Sequence, residues 1–462
     1  MKFGGTSVGD EKCIARVVSI LKHHHNTGNE LAVVVSAMSG VTDQLHVIAK
    51  EAVESLDEPP IETTIHSLRA RHKKVLEAVA PGEAETVMEE IDTKLENLRN
   101  ILTAIHNLRE LTPRSKDYII SFGERLSARI VSAALREEGI PSVPLNGCEA
   151  GIMTNERHGC ANVLPESEQK IKSRVLPLMQ ESIPVVMGYM GCTGTGIVTT
   201  LGRSGSDYSA AIVGAAIDAE EIWIWTDVDG IMTSDPRIIQ DARVISDISY
   251  LEAMELSYFG AEVLHPRSIE PAMQKGIPVR VKNTFNPGAG GSCVLSKQRR
   301  DRRVVKGITY IDKVSLINIT GAQMVGRPGV ARAIFGELAS NSVNIMMISQ
   351  ASSEANISLV VDDEHLNIAI SALESVKKGG YIREVTYDRD ICAVAVVGVG
   401  MAGTPGISGR IFTALGRKEI NLMMISQGSS EVNISFIVKE DDGIEAVKIL
   451  HNEFELSGEC EE

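Results

Sequence analysis

Residues 344–358, Asn-Ile-Met-Met-Ile-Ser-Gln-Ala-Ser-Ser-Glu-Ala-Asn-Ile-Ser, return at 421–435 as Asn-Leu-Met-Met-Ile-Ser-Gln-Gly-Ser-Ser-Glu-Val-Asn-Ile-Ser. The offset, 421 − 344 = 77, also separates Gly329 from Gly406, so one unit stands twice. A unit that repeats at such a period is one supersecondary module that buries its apolar face on a neighbour. The first copy reads as a strand (316–321), a Pro328-Gly329 turn, a helix (330–339), two strands (343–350 and 356–361) and a second helix. That order predicts a βαββαβ, ferredoxin-like unit with its helices on one sheet face. Two copies are expected in tandem, over 308–388 and 389–462.

The remaining residues must fold separately, because 462 residues exceed what one hydrophobic core organises. Between 1 and 297 the runs 31–35, 183–187 and 222–225 are short and apolar on both faces, as central strands covered by helices are. They predict an α/β domain with an open, mainly parallel sheet sandwiched by helices. Over 62–111, apolar residues recur at three- and four-residue steps around Pro81-Gly82, which predicts an inserted helical hairpin, packing or walling the substrate site. The basic run Lys297-Gln298-Arg299-Arg300-Asp301-Arg302-Arg303 marks a solvated linker, placed at 298–307.

A net charge of −15, spread along the chain, argues against a nucleic-acid partner. Anionic substrates would instead need a few placed cations and helix N-termini. Seven scattered cysteines without C-x-x-C spacing suit a reducing compartment, as core fillers rather than zinc ligands. With no long apolar run and no signal-peptide pattern, the expected location is cytoplasmic. No metal site is expected: His23-His24-His25 ends the first helix, where cations suit the dipole, and His265 precedes Pro266 as a structural residue. Gly398-x-Gly400-x-x-Gly403 matches a dinucleotide fingerprint, yet its repeat partner has Ala322 and Gln323 where a second glycine would be needed, and no acidic residue ends the next strand, 421–427. No nicotinamide site is expected there.

Two loops carry chemistry. Lys2-Phe3-Gly4-Gly5-Thr6-Ser7 ends a very short strand just before a helix, so glycine amides, the helix N-terminus and Lys2 can receive a polyphosphate. Thr200-Leu201-Gly202-Arg203-Ser204-Gly205-Ser206-Asp207 is a second loop opening a helix. In it Arg203 can grip a carboxylate bidentately, while Asp207 is either a functional acid or a helix cap. Two such loops can face each other across the C-terminal ends of parallel strands. Thr226-Asp227-Val228-Asp229-Gly230 and Ser234-Asp235-Pro236 read on their own as turns.

These segments, together with Val35-Ser36-Ala37-Met38-Ser39-Gly40-Val41-Thr42, Ser121-Phe122-Gly123-Glu124, Asp235-Pro236-Arg237 and Pro278-Val279-Arg280-Val281-Lys282, resemble the aspartate kinases of the amino acid kinase superfamily. The Met-Ile-Ser-Gln repeats resemble that family's ACT domains, so the resemblance spans nearly the whole chain. It implies transfer of the γ-phosphoryl group of ATP, with Mg²⁺, to the side-chain carboxylate of L-aspartate, the first step toward lysine, threonine and methionine. Lys2, Phe3, Gly4 and Gly5 would hold phosphates, with Lys2 and Asp207 paired as the catalytic charges. Thr226, Asp227, Met232, Thr233, Ser234, Asp235, Pro236, Arg237 and Lys282 would contact the nucleotide. Arg203, with Ser204, Gly205 and Ser206, would take the α-carboxylate, Glu124 the α-ammonium, and Ser36 and Thr42 would add hydroxyls.

The resemblance also implies feedback by an amino acid bound at the repeats, at Met324, Gly326, Gly329, Val330, Asn344 and Ile345, with dimers or dimers of dimers formed through them. Lysine-responsive members carry an acidic residue where Met346 stands here, so threonine is the expected effector. A fused homoserine dehydrogenase is not expected after the second repeat, and a few residues are expected to precede the strand at Lys2. Two other readings remain: a superfamily kinase for glutamate, acetylglutamate or a nucleotide, and an amino-acid sensor with an inactive kinase half.

Overall fold

The computed structural model describes residues 1–258, 264–296 and 303–458. The chain forms two compact units. The first is Met1–Ile231 with Ser246–Tyr250 and Val263–Lys297; the second is Met232–Ile245 with Leu251–Glu262 and Gln298–Glu462. Two segments of the expected 1–297 domain therefore belong to the second unit. The expected boundary and linker residues 298–302 lie outside the described residues. Among the described residues no helix is long and apolar enough to cross a membrane.

The first unit is built on strands β1 (Lys2–Phe3), β2 (Val33–Val35), β3 (Ser142–Leu145), β4 (Ile183–Met187), β5 (Met190–Cys192), β6 (Val198–Thr200), β7 (Ile222–Thr226), β8 (Asp247–Ser249), β9 (Val279–Asn283) and β10 (Ser292–Leu295). Its eight-stranded sheet has the order β3-β4-β2-β1-β7-β9-β10-β8, and only β9 and β10 pair antiparallel. β5 and β6 form a separate antiparallel ribbon. The central strands are buried, as their runs of valine and isoleucine require under helices on both faces. The helix Glu11–Asn26 begins at Asp10, whose carboxylate accepts the Cys13 N–H at 2.8 Å, and ends on the three histidines. Helices Ile61–Val79 and Ala84–Leu108 are clipped by Arg69 and Asp92 at 2.7 Å. Leu68, Leu76, Ile91, Leu98 and Leu102 from their apolar stripes join the main core.

The cysteine expectation needs a correction. Cys148 and Cys192 are joined as a disulfide, their Cα atoms 5.4 Å apart. Gly147 lets the two backbones approach, since a Cβ there would meet Met190 O at 2.2 Å. Cys13, Cys293 and Cys392 are buried and Cys160 is exposed, while Cys460 lies outside the described residues.

The second unit holds β11 (Gly307–Thr320), β12 (Met347–Gln350), β13 (Asn356–Asp362), β14 (Glu384–Val397), β15 (Met424–Gln427) and β16 (Asn433–Lys439). They form an antiparallel sheet of order β12-β13-β11-β14-β16-β15, with helices Val330–Ser340, Leu366–Lys378, Ile407–Gly416 and Glu440–Glu453. The element order within each repeat and the order of the two repeats along the chain are as expected, and the strand pairing adds one feature. Residues 314–320 of β11 pair with β13 of the first repeat, whereas 307–311 pair with 393–397, the opening strand of the second. The second repeat's closing strand therefore comes from residues ahead of the first repeat, which is inserted within it. The sequence does not show this, because 307–311 and 314–320 read as one strand, interrupted only by Asp312-Lys313. The glycines of the 398–403 motif serve this packing: a Cβ on Gly398 would meet Val304 O at 2.3 Å, and one on Gly400 would meet Val304 Cα at 2.8 Å.

Candidate active site

Lys2 and Phe3 are the whole of β1, so their side chains leave on opposite faces of the sheet. Phe3 stands beside Val35 and Trp225 in register and stacks on Trp225 with centroids 5.8 Å apart. Lys2 takes the other face, where its Nζ lies 2.6 Å from Asp207 Oδ1 with the two side chains only 10% and 14% exposed. Asp207 sits in the first turn of the helix Gly205–Ala216, where the amide dipoles favour negative charge. Arg203 precedes it in the same loop and is exposed. The pair therefore brings the two expected loops together, one following β1 of the parallel sheet and the other following β6 of the antiparallel ribbon.

Close backbone approaches explain the glycines around these loops. A Cβ on Gly188, just after β4, would meet Ser206 Oγ at 2.7 Å and Val35 O at 3.0 Å. One on Gly205 would meet the Tyr189 ring at 2.6 Å, and one on Gly4 would stand 3.4 Å from Lys2 Nζ. The Gly4 N–H is donated to Trp225 O at 3.2 Å, so it is committed to the sheet and the expected pair of phosphate-binding amides reduces to Gly5. Gly5 caps the short turn Thr6–Val8, and the buried Ser7 hydroxyl ties that turn to Thr284 Oγ1 at 2.7 Å.

Glu124 lies in the first turn of the helix Phe122–Glu137 and is 3% exposed. Gly123 beside it allows the close approach, as a Cβ would meet Ala37 Cβ at 2.6 Å. The carboxylate accepts from the Ala37 backbone, Oε2 has no partner, and burial pushes its pKa up to about 8. A buried carboxylate with a vacant oxygen is suited to a cationic ligand. Ser36 follows β2, its N–H donated to Phe3 O at 3.1 Å and its carbonyl accepting Ser127 Oγ–H, and Thr42 opens the next helix.

The nucleotide expectations fare unevenly. Thr226 ends β7 and its hydroxyl donates to Asp227 Oδ1 at 3.1 Å. Lys282 pairs in register with Trp225, hence on the face opposite Lys2, and its ammonium lies over the Trp223 and Trp225 rings at 5.2 and 5.6 Å. It is not brought together with Lys2; the strand's pleat decides this. Met232 to Arg237 belong to the second unit. There Thr233 Oγ1 meets His451 Nε2 at 3.1 Å, Ser234 is buried beside it, and Arg237 chelates Asp235 across Pro236, holding that carboxyl below its usual range.

Two site residues escaped the sequence reading. Tyr189 adopts φ +68°, a conformation rare for a bulky residue, and its carbonyl accepts Leu201 N–H at 2.9 Å. Arg267 braces the same loop from below, donating to Ala161 O at 2.9 Å and Leu201 O at 3.3 Å, with its guanidinium over Tyr208. His265 caps the helix Pro266–Lys275 by accepting Arg267 N–H, as its structural reading anticipated, and burial with the Arg203 and Arg267 charges lowers its pKa. Tyr189 and Arg267 follow from no motif and become visible only once the loop is folded.

In the first repeat a cavity of about 360 Å³ is lined by Met324, Gly326, Gly329 and Val330, with Gln350 and Glu354. Asn344 and Ile345 do not line it. Glu354 puts into this cavity a carboxylate that the Met346 argument did not foresee, but its Oε2 accepts Gly326 N–H at 2.9 Å. Glu431 holds Gly403 N–H at 2.6 Å in the second repeat.

Residues 1–283 match the amino acid kinase family, and 317–376 and 394–454 match the ACT domain. Aspartokinase 3, chloroplastic, of Arabidopsis thaliana is 32% identical, across 100% of this chain and 82% of its own length. The chain belongs to the aspartokinases. Another aspartokinase relative, the bifunctional aspartokinase/homoserine dehydrogenase 1, chloroplastic, of Zea mays, is 35% identical over 99% of this chain. The chain spans about half the length of that relative, 50%. Among solved structures, E. coli aspartokinase III in complex with aspartate and ADP (R-state) superposes with a TM-score of 0.82 at 28% identity, covering 98% of each chain.

Proposed function

We propose that this aspartokinase transfers the γ-phosphoryl group of ATP to the side-chain carboxylate of L-aspartate, giving 4-phospho-L-aspartate. The observation that carries the reading is the Lys2–Asp207 pair, which joins the glycine loop after the central strand β1 to the arginine loop. A carboxylate acceptor, with a pKa of about 3.9, is already ionised at neutral pH and needs no general base. The barrier is electrostatic, since two anions must meet while charge develops on the transferring group. Lys2 and Gly5 supply positive potential on the phosphate side, and Asp207 fixes the direction of the lysine side chain. Gly4 adds no side chain beside Lys2 Nζ, where a Cβ would stand 3.4 Å from the ammonium. Mg²⁺ would arrive on the nucleotide's phosphate oxygens, partly hydrated, and add charge neutralisation there.

Arg203 with Ser204, Gly205 and Ser206 takes the α-carboxylate, Glu124 the α-ammonium, and Ser36 and Thr42 the remaining polar edge. Charges of opposite sign at the two ends select an α-amino acid. The solved relative holds aspartate and ADP, which supports this acceptor over glutamate, acetylglutamate or a nucleotide. The nucleotide lies beyond β7 at Thr226 and Asp227. The product feeds lysine, threonine and methionine synthesis in the cytoplasm, and the protein works as a homodimer or dimer of dimers through its ACT domains.

Threonine is the feedback effector. Met346 stands where lysine-responsive members carry an acid, and Glu354 in the cavity turns its Oε2 to the Gly326 N–H, which supports an uncharged side chain such as threonine's over a lysine ε-ammonium. A hydroxamate assay for acyl phosphate, run with aspartate, glutamate, acetylglutamate and a nucleoside monophosphate, tests the acceptor. Aspartate alone should give product, and millimolar threonine but not lysine should lower the rate.

A further inference from the structure

Asp117 stands outside every assignment made above, yet it is 1% exposed and among the most heavily hydrogen-bonded side chains of the first unit. It lies on the helix Pro113–Ile120, which leads through Ser121 directly into the helix that carries Glu124. Its Oδ1 accepts the Thr200 hydroxyl at 2.5 Å and its Oδ2 the Thr200 N–H at 3.1 Å. The same carboxylate accepts Gly159 N–H at 3.0 Å and meets His158 Nδ1 at 2.7 Å. Thr200 is the last residue of β6 and the root of the Arg203 loop. The 159–160 segment lies under that loop, since a Cβ on Gly202 would meet Gly159 O and Cys160 Sγ at 3.3 Å. Burial, with the Glu124 and Asp117 charges nearby, raises the pKa of Tyr189.

We infer that Asp117 is a positioning residue for the acceptor: one buried carboxylate fixes the Glu124 helix against the Arg203 loop, and so sets the span between the groups that take the amino acid's two charged ends. This rests on the kinase reading above. A buried carboxylate with four donors is held in one geometry, and releasing one donor frees the loop root without emptying a large volume. The nucleotide loop at Lys2 receives no bond from Asp117. Loss of the network should therefore weaken the acceptor and spare ATP.

The experiment compares Asp117→Asn, Thr200→Val and Thr200→Ser in the full chain. Asp117→Asn and Thr200→Val should raise the KM for aspartate about tenfold and leave the KM for ATP within about twofold, while Thr200→Ser, which restores the donor, stays within about twofold of the parent for both. Amide hydrogen exchange over 201–207, read without any ligand, should be about tenfold faster in Thr200→Val than in Thr200→Ser. Equal changes in both KM values, or an unchanged aspartate KM, overturn the inference. If Asp117→Asn does not fold, the Thr200 pair decides. If the parent makes no acyl phosphate from aspartate, the kinase reading fails on that result, and the exchange rates decide the positioning role: unchanged protection overturns it.

Discussion

Lys2 and Asp207, from opposite ends of the first unit's sequence, meet at 2.6 Å with little solvent around either. The pairing fixes the ammonium over the place that a side chain at Gly4 would occupy. Breaking it by removing the acid leaves a buried cation without its partner. Asp207→Asn should lower kcat by about 10²–10³, the usual loss when a preorganised electrostatic group is disabled. Steady-state kinetics with saturating ATP checks it, and a loss below about fivefold contradicts the assigned role.

Glu124 makes acceptor binding pH-dependent. Its pKa is pushed up to about 8 by burial, so at neutral pH the free protein carries it protonated. An α-ammonium needs the ionised form, so binding must expel a proton. The KM for aspartate should rise as pH falls below about 8, roughly tenfold per unit between pH 7 and 6. A KM independent of pH over that range is inconsistent with Glu124 as the ammonium site.

The same group leaves a signature in stability. Its folded pKa lies above the ordinary value of 4.5, so protonation favours the folded state. That contribution is complete below the unfolded value and is lost as pH rises toward about 8. Relative to the parent, Glu124→Gln should gain on the order of a few kcal/mol between pH 5 and pH 8. Melting temperatures of both proteins at the two pH values test this, and a constant difference refutes it.

Gly188 tests the packing of the arginine loop. An alanine there places a Cβ 2.7 Å from Ser206 Oγ and 3.0 Å from Val35 O, and the strand cannot yield. Gly188→Ala should reduce kcat/KM for aspartate at least about tenfold by displacing Ser206. Gly194→Ala, with nothing within 4 Å of its Cβ, should stay within about twofold. Similar losses in both variants would contradict the packing argument.

Local chemistry made much of this legible in the sequence. The 183–187 strand matches Ile183–Met187, and the repeat's helix and strands fall within a few residues of expectation, because apolar periodicity and glycine turns are local signals. The glycine-rich turns that carry Lys2 and Asp207 were readable too, while their pairing was expected only from the family resemblance. Three things were not. The insertion of one repeat within the other depends on how the two halves of β11 pair, which periodicity does not encode. The face that Lys282 takes is set by its register with Trp225 on a neighbouring strand. Tyr189, Asp117 and Arg267 act through contacts between distant segments, and each reads alone as an ordinary core or surface residue.

The most direct test is acyl-phosphate formation from L-aspartate and Mg-ATP, trapped as the hydroxamate, by the parent and by Lys2→Ala at matched fold and concentration. The parent should form hydroxamate in proportion to ADP released, and Lys2→Ala should lose at least about 10²-fold of that rate with its melting temperature little changed. Equal rates from both proteins would contradict the account.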